Sequence, residues 1–115
     1  MPRVEDPTLL RGLGRFADDL PTPVNACHAA FLRSPIAYGE FGTIDTAAAA
    51  AMPGVVAVIT GADMLEYSTP FITGVKVDAP QYALAIDRVR YVGEPVAIVL
   101  AQDRYLAEDA LDAIV

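Results

Sequence analysis

Residues 25–32, NACHAAFL, carry apolar side chains at alternating and adjacent positions, the pattern of a largely buried strand. Ser34-Pro35 ends it, because proline removes a backbone donor and restricts the residue before it. A second strand is expected at about residues 39–44, where Phe41 and Thr43 alternate with smaller residues. Asp45 and Thr46 then stand in front of five alanines, residues 47–51. Alanine is the best helix former, and either preceding residue can supply an N-cap oxygen. Pro53-Gly54 should stop that helix after about two turns. The β-branched run VVAVI, residues 55–59, predicts a strand buried on both faces, and a short helical turn is expected near residues 61–65. Residues 66–87 show no persistent period and contain Pro70, Gly74 and Pro80. Residues 88–91 and 95–100 predict a strand pair or one bent strand, joined through Val92, Gly93 and Glu94. Asp103 caps a final helix whose Leu106, Ala107, Ala110, Leu111 and Ile114 share one face. The first 24 residues, punctuated by Pro2, Pro7, Gly12, Gly14, Pro21 and Pro23, read as an irregular entry segment.

The order strand–strand–helix–strand–strand–helix predicts an α/β or α+β domain with a mixed sheet and two main helices. Val115 falls at the end of an amphipathic helix with no C-cap glycine after it, so the sequence reads as cut short. With 115 residues, 54% of them hydrophobic, the chain suits one domain with a real core, and disorder is excluded. Fifteen acidic residues against eight basic ones give a charge of −7, which disfavours a phosphate backbone as partner. The longest apolar stretch, residues 47–59, is too short to cross a bilayer and is broken by Pro53-Gly54. The N-terminus lacks the apolar core of a secretory signal, and Cys27 is the only cysteine. A cytoplasmic setting is therefore expected, with neither a membrane nor a nucleic acid as partner.

Few residues offer chemistry. GLGRF, residues 12–16, has a Gly-x-Gly but no preceding strand, third glycine or following helix, so its glycines read as turn formers rather than a nucleotide site. Asp18 and Asp19 are adjacent and cannot share a proton, and a turn role for Asp19 is expected. His28 is the only histidine and sits beside Cys27, with which it would point to opposite faces of a strand. A zinc site or a Cys–His dyad is therefore disfavoured, and a hydrogen-bonded strand histidine is expected. Arg33-Ser34-Pro35 could hold an anion through the guanidinium, although a turn in which Ser34 bonds locally is favoured. Glu94, between Gly93 and Pro95, is a carboxylate on stiff backbone. It faces a substrate, a partner or solvent, and the three residues mark a candidate interface or substrate-facing loop. No catalytic, cofactor-binding or metal-binding set emerges, and a self-contained hydrolase is disfavoured for want of a nucleophile and base.

Taken in order, these segments resemble the opening of the molybdenum-containing subunit of the xanthine dehydrogenase and aldehyde oxidase family, which includes carbon monoxide dehydrogenase-like members. The family's Tyr-x-Asp-Asp-like entry is matched by Phe16, Ala17, Asp18 and Asp19. Its Arg-Ser-Pro turn with a following alanine is matched by Arg33, Ser34, Pro35 and Ala37. Its Ile-Asp-Thr cap is matched by Ile44, Asp45 and Thr46, and its Pro-Gly-Val stop by Pro53, Gly54 and Val55. RYVGEPVA, residues 90–97, and the Asp-x-x-x-Ala-Glu-Asp-Ala pattern at residues 103–110 complete the match. Tyr38 stands where the family usually has histidine, and Gly39 where alanine is common.

The resemblance implies an α+β fold, the α/β hammerhead, over residues 14–115 behind an irregular segment 1–13, incomplete before a final strand. It implies a structural, non-catalytic domain of a larger oxidoreductase. The complete enzyme would hydroxylate aldehydes or N-heterocycles, or oxidise CO. It would use molybdopterin in a cytosine dinucleotide form, [2Fe–2S] clusters and FAD, none of whose motifs lies in these residues. The implied partners are the remainder of the molybdenum subunit and iron–sulfur and FAD subunits or domains. The residues taken alone leave open an independent binding or assembly module without catalysis.

Overall fold

The computed structural model describes residues 3–71, 74 and 80–115. A three-stranded sheet lies at the centre, in the order β1 (His28–Arg33), β5 (Pro95–Ala101), β3 (Val55–Thr60). PVAIVLA takes the middle place, where a strand bonded along both edges is best served by apolar side chains on both faces. Both ladders are antiparallel, with Ala30 and Val58 each opposite Val99 and with Phe31 and Ile59 each opposite Ile98. A second, two-stranded antiparallel sheet joins β2 (Gly39–Glu40) to β4 (Arg88–Val89).

Two helices cover one face of the central sheet, α2 (Ala47–Ala50) and α4 (Arg104–Leu111). The core between them is Ala30, Ala49, Val99, Ala101, Ala107 and Ala110, flanked by Val55, Val58, Leu106 and Ile114. Five of those six buried residues are alanines, which lets helix backbones approach the sheet closely. Val99 is fully buried, and removing it from water contributes about 1.5–3 kcal/mol. Asp103 caps α4 by accepting bonds from the Tyr105 and Leu106 amides at 2.7 and 3.3 Å. Ahead of α2, Asp45 Oδ1 accepts from the Ala47 amide at 3.0 Å, whereas the Thr46 side chain makes no capping bond. Gly54, at φ +87°, turns the chain from α2 into β3, where a Cβ would also lie 2.7 Å from Leu106 Cδ1.

A third short helix, α3 (Gly61–Met64), follows β3 directly and is closed by a reciprocal Thr60–Asp63 capping box. Its first residue must be glycine for space, because a Cβ on Gly61 would stand 2.0 Å from the Ala85 carbonyl oxygen. That contact holds residues 84–86 against the end of β3. From there the Ala85 amide donates to the Pro95 carbonyl at 2.8 Å. At the other end, Val115 and Asp45 exchange both backbone bonds, at 2.7 and 3.0 Å.

Several expectations are met and several corrected. The Asp103 cap and the start of the final helix stand where the sequence puts them, as does the turn at residues 61–65, but α4 ends at Leu111, so Ile114 lies beyond it. The α+β class holds, but the sheet is two antiparallel sheets rather than one mixed sheet: β1 and β3 run the same way, yet each bonds only to the opposed β5. Residues 88–91 and 95–100 are not paired with each other. A turn at residues 91–94 separates them, and β4 joins β2 instead. VVAVI is an outer strand of its sheet, with Val56 in a bulge and 56% exposed, so it is not buried on both faces within this chain. The alanine helix runs for one turn rather than two, because Pro53-Gly54 follows so soon. Residues 25–27 lie outside β1, with Asn25 at φ +67° in a turn, and β2 is only two residues long. The entry segment is not wholly irregular, since α1 (Asp6–Leu9) and a 3-10 turn at Ala17–Asp19 interrupt it. Most of the aperiodic stretch between Phe71 and Pro80 lies outside the described residues.

Candidate functional site

The residues singled out as a loop, Gly93, Glu94 and Pro95, sit at the tip where β5 begins. Gly93 is at φ +88° and the Glu94 amide donates to the Tyr91 carbonyl at 3.2 Å. This is a β-turn whose third residue needs a left-handed backbone, which only glycine adopts without strain. A second turn, starting at Ser34, docks directly onto it. The Ser34 amide donates to the Glu94 carbonyl at 2.9 Å, and the Gly93 amide to the Ser34 carbonyl at 2.8 Å. Arg33 Nη1 adds a bond to the Gly93 carbonyl at 2.9 Å. Ser34 Oγ donates to the Ile36 carbonyl at 2.9 Å and accepts from its amide at 3.2 Å, the local role expected of it.

Glu94 is not a solvated loop residue. It is 8% exposed, and its carboxylate turns inward to accept the Arg90 backbone amide. The Arg90 guanidinium lies 3.7 Å from the other carboxylate oxygen. A carboxylate so occupied braces the turn, and the solvent-facing side chains of the tip are instead Ile36, Tyr38, Tyr91 and Val92, each more than half exposed. Beside the tip is an open apolar groove of about 310 Å³, whose walls include Leu32, Ile36, Phe41, Ile44, Val89 and Val96. Arg33, Ser34, Glu40 and Thr43 also border it, but its lining is mainly apolar and suits packing.

The other candidates fall elsewhere. Asp19 Oδ2 accepts the Phe16 amide at 2.9 Å, the turn role expected, and Asp18 pairs with Arg104 at 2.9 Å. That pair fastens the entry segment to the start of α4 and holds the Arg104 guanidinium above its ordinary pKa. His28 opens β1 and lines a shallow groove with Leu20, Pro23 and Arg104. Cys27 is exposed. Gly12 does take a left-handed turn, at φ +67°, and Gly14 does not. Near the tip, Arg88 bridges Asp87 at 3.1 Å and Glu40 at 3.4 Å. Arg88 holds the Asp87 carboxyl below its usual range. Among the described residues no three of His, Cys, Asp and Glu come together as metal ligands. No described helix is long and apolar enough to cross a membrane.

Sequence reasoning missed Ser34 and Arg90 as parts of this site. Arg90 stands four residues before Glu94 across a glycine turn, a spacing that could have suggested the pair. Nothing local could have joined Arg33 to Gly93, sixty residues apart.

Comparison with known proteins gives this geometry its context. Residues 11–115 match the family described as aldehyde oxidase and xanthine dehydrogenase, a/b hammerhead domain. The nicotine 6-hydroxylase large subunit of Paenarthrobacter nicotinovorans is 42% identical over 118 residues, covering 99% of this chain and 14% of that protein. The xanthine dehydrogenase molybdenum-binding subunit of Escherichia coli O157:H7 is 34% identical, covering 97% of this chain and 16% of its own length. Quinoline 2-oxidoreductase from Pseudomonas putida 86 superposes with a TM-score of 0.88 at 41% identity, over 100% of this chain and 15% of the solved one. The chain thus spans a small part of the proteins it matches. On these matches the chain belongs to the aldehyde oxidase and xanthine dehydrogenase family, and it is that family's a/b hammerhead domain.

Proposed function

We propose that this domain is the N-terminal scaffold of a molybdopterin-binding large subunit, in an enzyme that hydroxylates aldehydes or N-heterocycles or oxidises CO. The observation that carries a scaffolding role is the inward-turned Glu94. The most constrained carboxylate of the tip is spent on the Arg90 amide, leaving Ile36, Tyr38, Tyr91 and Val92 as the surface on offer. The loop at Gly93, Glu94 and Pro95 then serves as an interface whose rigidity comes from Ser34 and Arg90. The relatives named as a large subunit and as a molybdenum-binding subunit support the same reading.

The described residues do not supply the several cysteine thiolates that an iron–sulfur cluster takes. They bring together no three potential ligands, and their one cysteine is exposed. In this reading the molybdopterin cytosine dinucleotide, the [2Fe–2S] clusters and FAD are held by polypeptide outside this chain, partly on iron–sulfur and FAD subunits, in the cytoplasm. The test is metal analysis of the complete large subunit together with dye reduction by an aldehyde, an N-heterocycle and CO. Stoichiometric molybdenum with turnover of one substrate class is expected. A complete polypeptide without molybdenum or turnover overturns the reading in favour of a binding module.

A further inference from the structure

We draw no further inference here: the strongest candidate, the open apolar groove beside the tip walled by Leu32, Phe41, Ile44, Val89 and Val96, is an unpartnered apolar surface, and nothing in the structure shows what covers it.

Discussion

Replacing Glu94 separates bracing of the tip from simple occupancy of a loop. In Glu94→Ala the Arg90 amide loses its acceptor in a part-buried site, and an unsatisfied donor there costs about 1–3 kcal/mol. The ion pair adds little. The Arg90 side chain is 31% exposed and the charges are 3.7 Å apart, and such pairs contribute about 0–1 kcal/mol. The sum is a destabilisation of about 2 kcal/mol, or roughly 10 °C in melting temperature for a domain of this size. Glu94→Gln keeps an oxygen in place for the amide and gives up only the charge, so it should cost less than about 1 kcal/mol. Urea unfolding of the wild-type chain and both variants measures the difference. The amides of Ser34 and Gly93 should also exchange faster in Glu94→Ala, because the turn they bond to has lost its brace. Equal costs for alanine and glutamine would refute the reasoning, since the carboxylate would then not be acting as the acceptor of the Arg90 amide.

Other outcomes follow from the same geometry. Asp103→Ala should destabilise the domain by about 1 kcal/mol through loss of the α4 cap, read by chemical denaturation. Asp45→Ala should cost about 0.5–1 kcal/mol and Thr46→Ala little, because Asp45 and not Thr46 bonds the α2 amide. Gly61→Ala should cost about 1–3 kcal/mol, since its Cβ would drive the backbone at residues 85–86 away from α3, measured as a fall in denaturation midpoint. The Thr60 amide and hydroxyl, each 2.7 Å from Asp63 Oδ2, hold that carboxyl below its ordinary value of 3.8. A carboxylate depressed on folding contributes stability above its unfolded pKa and loses it as pH falls through the folded one. Stability should therefore fall as pH drops below 3.8, and Asp63→Asn should flatten that part of the acid unfolding profile.

What the sequence made legible is what local chemistry decides. The Asp103 cap and the α4 face of Leu106, Ala107, Ala110 and Leu111 follow from one side-chain oxygen and helical spacing, and both stand, whereas the helix ends before Ile114. The turn at Gly93 is equally local, because a left-handed backbone there calls for glycine. The position of a strand within its sheet is not local. VVAVI and PVAIVLA have similar composition, yet one lies at an edge and the other in the middle, because tertiary pairing and not periodicity assigns those places. Nearness in sequence, with only three residues between them, groups residues 88–91 with β5, whereas the reversal at Gly93 sends β4 to a different partner. The site shows the same division. Glu94 stands out in the sequence for its stiff neighbours, but its inward turn depends on Arg90, and the docking of Ser34 on Gly93 joins segments nearly sixty residues apart. The family resemblance supplied the hammerhead order, which residue physics alone would have left as an unspecified α+β domain.

The central claim is that this domain supports a molybdenum enzyme without itself holding the metal. It is tested most directly by molybdenum content, measured side by side on the complete subunit and on residues 1–115 expressed in the same host. The account predicts stoichiometric molybdenum in the complete subunit and none in the shorter chain. Molybdenum bound by residues 1–115, or none in the complete subunit, would contradict it.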